Sequence, residues 1–139
     1  MTTSSNVLYT ARTHTVGGRD KGFARSSDGN LDVTLSPPGS GRPGTNPEQL
    51  FAAGWSACYE GAIGLACRLK KLPPPHELAV DAEVDLCRDD SGFFLRARLY
   101  VSLPGLDHDL AQSLVDLAHQ TCPYSKAIRG NVDVAITLL

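Results

Sequence analysis

The chain has 139 residues, 42% of them hydrophobic and 20% charged, with a formal net charge of −2 and four cysteines. That length points to one domain over residues 1–139, large enough to bury about two thirds of its unfolded surface. The balance excludes disorder, a binder that grips nucleic acid through a basic surface, and an apolar run of about 18 residues able to span a membrane.

The first residues, Met1 to Asn6, are polar and carry no apolar signal segment. A cytosolic protein is expected, with its thiols mostly reduced. Val7, Tyr9, Ala11 and Thr13 alternate with polar or small neighbours and predict a first strand, broken by Gly17-Gly18. Phe23 to Ser26 predicts a second. Asp28-Gly29-Asn30 is a hairpin turn, since glycine and asparagine accept positive φ. Leu31, Val33 and Leu35 return, and the prolines and glycines of Ser36 to Thr45 form a loop.

Asn46 then reads as an N-cap, Pro47 as the first helical position, and Glu48 as an anion on the positive end of the helix dipole. The helix is expected to reach Leu72, where three prolines stop it. Leu50, Gly54, Ala57, Cys58, Gly61, Leu65 and Leu69 share one stripe, and apolar residues so dominate that burial nearly all round is expected. Val80, Ala82, Val84 and Leu86 alternate, as do Phe93 through Leu103, predicting an antiparallel hairpin. Asp107 or Asp109 caps a second long helix, Cys122-Pro123 interrupts it, a short turn runs to Arg129, and Val132 to Leu138 form a last strand. The order gives an α+β fold.

The four cysteines admit three readings. Zinc ligation is disfavoured, because no Cys-x-x-Cys pair exists and the four histidines form no ligand pair at helical spacing. Packing suits Cys67, on another face of the helix from Cys58, while Cys87 falls on the polar side of its strand. Cys58 is by periodicity a small hydrophobe, whose thiol would be inert in apolar surroundings unless a cation such as Arg19 stood near. Cys122 sits at a helix break, where a thiol could meet another sulfur, or could be incidental.

Two long motifs add a resemblance. Asn46-Pro47-Glu48-Gln49-Leu50-Phe51-Ala52-Ala53-Gly54-Trp55-Ser56-Ala57-Cys58-Tyr59 and Ala118-His119-Gln120-Thr121-Cys122-Pro123-Tyr124-Ser125-Lys126-Ala127-Ile128-Arg129-Gly130-Asn131 strongly resemble the organic hydroperoxide resistance branch of the Ohr/OsmC family. The resemblance covers nearly the whole chain. It implies an OsmC-like fold, with antiparallel sheets around long central helices in an intertwined homodimer. It also implies a thiol peroxidase for organic hydroperoxides. Cys58 would be the peroxidatic cysteine, Cys122 the resolving one, and Arg19 and Glu48 the family's arginine and glutamate. No metal, haem or flavin is implied; the reductant would be an external dithiol, lipoamide on a protein. Two rival functions are a general dithiol–disulfide oxidoreductase, which the missing Cys-x-x-Cys disfavours, and a module binding an apolar ligand beside an unreactive cysteine.

Overall fold

A computed structural model describes residues 5–139. The chain forms two compact units, one ending at Pro47 and one spanning Glu48–Leu139.

In the first unit, strands β1 (Thr13–Val16), β2 (Phe23–Ser26) and β3 (Asp32–Thr34) pair antiparallel in the order β1-β2-β3. The predicted first strand starts late. Its ladder opens with Thr13 opposite Ser26, and β2 ends there, so Val7, Leu8 and Tyr9 have no strand to pair with and lie 83%, 94% and 78% exposed. Alternation without a partner leaves the backbone donors to water. The turn after β2 is built by Asp28, whose carboxylate accepts from Ser26 Oγ at 2.6 Å and Asn30 N–H at 3.0 Å. Between β1 and β2 the four-residue α1 (Gly18–Lys21) carries Arg19. It fits because Gly17 is left-handed at φ 82° and because Gly22 lies so close to Val16 O that a β-carbon would stand 2.2 Å away.

The second unit is built on α2 (Pro47–Leu69). This helix stops three residues before the predicted Leu72. Lys71 turns left-handed at φ 58°, Lys71 N–H bonds Arg68 O at 3.1 Å, and Leu72 N–H reaches Cys67 O at 2.8 Å. That is a Schellman closure, which ends the helix ahead of the prolines. The stripe facing the core is Trp55, Tyr59, Ala62, Ile63, Ala66 and Cys67. The expected all-round burial does not hold in the single chain: Leu65 is 40% and Leu69 64% exposed. Only one side of α2 has the sheet and the other helices to pack on.

Strands β4 (Ala79–Asp89) and β5 (Gly92–Ser102) form the predicted hairpin, and β6 (Asp133–Leu138) joins β5 in parallel. This pairing departs from an all-antiparallel sheet because a helical crossover, not a tight turn, connects β5 to β6. The crossover consists of α3 (His108–Thr121), capped by the Asp107 carboxylate at Leu110 N–H (3.4 Å), and α4 (Pro123–Ile128). Ala97, Leu99 and Val101 of β5, with Leu103 just after it, meet the α2 stripe and Ala111, Leu114, Val115 and Ala118 of α3 in one core. The sheet's other face is polar, with Arg98 bonded to Glu83 at 2.8 Å and to both Asp85 oxygens at 2.7 and 2.9 Å. The α+β class therefore stands.

Candidate active site

Cys122 is at once the last cap of α3 and the first cap of α4. Its backbone is extended, with φ −60° and ψ 122°. Pro123 takes the first position of α4, where it lacks the N–H that would have no partner anyway. This break turns Cys122, fully buried, toward α2. There it comes near Cys58, half-buried on the helix, close enough for each sulfur to influence the other's ionisation. The Tyr124 backbone N–H, from the same break, lies near enough to the Cys58 sulfur to favour its thiolate.

These contacts set the electrostatics. Burial pushes the Cys58 thiol up, the Tyr124 N–H opposes that by stabilising a thiolate, and the neighbouring Cys122 adds to the rise. Among these neighbours the balance favours the thiol over the thiolate.

Aromatic rings cluster on the elements that carry the pair. Phe51 meets Trp55 edge to face with centroids 6.0 Å apart, and meets Tyr124 in the same manner at 6.1 Å. The indole Nε1 of Trp55 donates to Ser125 Oγ at 3.1 Å, and Tyr59 Oη donates to Val115 O at 2.8 Å. Both bonds are buried, and both tie α2 to the helices bearing the second cysteine.

Of the four residues singled out by resemblance, Cys58 and Cys122 are brought near each other. Arg19 lies on α1 of the first unit, and Glu48 lies in the first turn of α2. Cys67 is 1% exposed in the core, where burial pushes its thiol up. Cys87 is half-buried on β4 opposite Phe94. The sequence did not reveal the parts played by Tyr124 N–H, Ser125 or Gly54. The signal for the first two was local: a proline after a cysteine opens a new helix, whose next residues must face whatever that cysteine faces. Among the described residues, no cluster of three or more His, Cys, Asp or Glu could hold a metal ion, and no helix is long and apolar enough to cross a membrane.

Residues 38–137 match the family described as OsmC-like protein. The chain belongs to the OsmC-like family. The organic hydroperoxide resistance protein of Xanthomonas axonopodis pv. citri (strain 306) is 47% identical over 142 residues, covering 99% of each chain. The crystal structure of the organic hydroperoxide resistance protein OhrB of Bacillus subtilis superposes with a TM-score of 0.87 at 42% identity, over 96% of this chain and 100% of that one. A Legionella pneumophila structure described as an organic hydroperoxide resistance protein OsmC gives 0.89 at 40% identity, over 96% and 98%. Within the OsmC-like family, the chain therefore falls in the organic hydroperoxide resistance branch, and it has that family's fold.

Proposed function

We propose that the protein is a thiol peroxidase that reduces organic hydroperoxides to alcohols. The observation that carries this reading is the nearness of the Cys58 and Cys122 thiols, in a chain whose relatives are named for resistance to organic hydroperoxides. Cys58, as thiolate, attacks the O–O bond. The alkoxide leaves and takes a proton to become the alcohol, and Cys58 becomes a sulfenic acid. The Cys122 sulfur then attacks the Cys58 sulfur. The S–O bond breaks, water leaves with the Cys122 proton, and a disulfide remains.

Arg19 supplies the positive charge that the thiolate needs and donates to a peroxide oxygen. In this reading Glu48 is the carboxylate that would pair with that guanidinium. The exposed aromatic edge of Tyr124 and the apolar side of α2 suit alkyl or fatty-acid chains better than hydrogen peroxide. A dithiol reduces the disulfide by exchange, with protein-bound lipoamide as the proposed donor. Work in the reducing cytosol is part of this reading. A homodimer is part of this reading. The open side of α2, with Ala57, Gly61 and the exposed Leu65 and Leu69, is the face a second copy would cover, and sedimentation at micromolar concentration reads it directly.

The test is consumption of cumene hydroperoxide with dihydrolipoamide. The native chain should turn over and Cys58→Ser should not. Turnover by Cys58→Ser would remove this reading. Rapid reduction of protein disulfides without peroxide would favour the general oxidoreductase instead.

A further inference from the structure

A disulfide closes only when its two sulfurs are held within narrow geometry, and small misplacements slow such steps steeply. Cys122 is carried by a break between helices, and the α4 that follows is six residues long, too short to hold its own position. Something outside α4 must fix it against α2. Trp55 and Ser125 are both fully buried, and the indole N–H donates to the serine hydroxyl at 3.1 Å. Trp55 precedes Cys58 by three residues and Ser125 follows Cys122 by three. The bond therefore pins α4 to α2 about one helical turn from each sulfur.

We propose that Ser125, through its hydrogen bond to Trp55, is a positioning residue that holds the Cys122 thiol against Cys58 while the disulfide closes. This inference rests on the peroxidase reading above and adds a determinant of its second step. The sulfenic acid on Cys58 has two fates. It can condense with the Cys122 thiol, losing water to give the disulfide. It can instead take an oxygen from a second hydroperoxide molecule, which leaves as alcohol, to give the sulfinic acid. Both products share the sulfenic acid, so their ratio does not depend on how fast that acid formed. Ser125 acts on the first fate alone.

The experiment treats reduced full-length protein with a fixed excess of cumene hydroperoxide and measures Cys58 disulfide and Cys58 sulfinic acid by mass spectrometry. Ser125→Ala removes the acceptor, and Trp55→Phe removes the donor while keeping a ring in the core. Each should raise the ratio of sulfinic acid to disulfide by roughly tenfold or more. Ser125→Thr, which keeps the hydroxyl, should stay near the native ratio. Should Ser125→Ala fail to fold, Trp55→Phe tests the same bond from its other side. Native partition in a folded Ser125→Ala or Trp55→Phe overturns the proposal. A native chain that forms no Cys58–Cys122 disulfide overturns the peroxidase reading as well, so the two failures are told apart by the native control.

Discussion

Gly54 lies so close to Tyr124 that a β-carbon on it would stand 2.6 Å from Tyr124 Oη and 3.1 Å from Cζ. The missing side chain, about one turn before Cys58, is what lets the Tyr124 ring lie along α2, edge to face with Phe51.

Gly54→Ala should therefore change which hydroperoxides react more than it changes stability. Alanine gains about 1 kcal/mol over glycine inside a helix. The displaced ring forfeits an aromatic pair of about 0.5–1.5 kcal/mol. The two nearly cancel, because Tyr124 is 39% exposed and can swing outward without opening the core. The melting temperature should move by no more than about 4 °C. The ratio of kcat/KM for cumene hydroperoxide over tert-butyl hydroperoxide should shift by about fivefold, the kinetic equivalent of a contact worth ~1 kcal/mol. An unchanged ratio would show that the ring does not meet substrate.

The Arg19→Ala variant tests the charge that Cys58 lacks among its contacts in α2 and α4. Burial pushes this thiol up and the Tyr124 N–H only partly opposes the rise. Removing the guanidinium should slow peroxide reduction at neutral pH by at least about 100-fold, the usual cost of one preorganised electrostatic group. The iodoacetamide reactivity of Cys58 should move to higher pH, while circular dichroism stays native, since Arg19 is exposed on a short turn. An alkylation profile that does not move would remove Arg19 from the mechanism.

His119 gives the fold an acid limit. Its Nδ1 is buried with no hydrogen-bond partner. Burial first, and then the Arg129 charge, push the ring below its ordinary value, while Asp116 pulls the other way. The folded state thus binds a proton at His119 less readily than the unfolded chain does. Its contribution to stability is fully present above the unfolded value, about pH 6.5, and is lost as the pH falls through the lower folded value. Arg129 also donates to the His119 carbonyl, which keeps its charge beside the ring. Melting temperatures between pH 7.5 and 4.5 should fall less steeply for His119→Gln than for the native chain. Parallel curves would show that the ring stays neutral or finds a partner throughout.

The long elements were legible because their signals are redundant. In α2, Pro47, Glu48 and an apolar run agree, and in β4–β5 the alternation spans two strands of 11 residues each. The misread parts are those where a local pattern needs a distant partner. Val7 to Ala11 alternate like a strand, yet β2 is too short to pair with them. Leu65 and Leu69 read as core, yet nothing in their own unit lies over them. The stop at Leu69 was hidden because lysine rarely takes the left-handed position that Lys71 holds. The site was legible in its two cysteines only through family motifs. Periodicity favoured packing for Cys58, while the Tyr124 N–H beside it and the Ser125 that bonds Trp55 come from beyond a helix break that spacing alone cannot bridge.

The central claim is that Cys58 and Cys122 react with each other after Cys58 meets a peroxide. Reduced protein given one equivalent of cumene hydroperoxide, alkylated and digested, should yield the peptide pair joined through Cys58 and Cys122, with Cys67 and Cys87 recovered as alkylated thiols. Recovery of all four cysteines as alkylated thiols, or of a disulfide that leaves out Cys58 or Cys122, would contradict it.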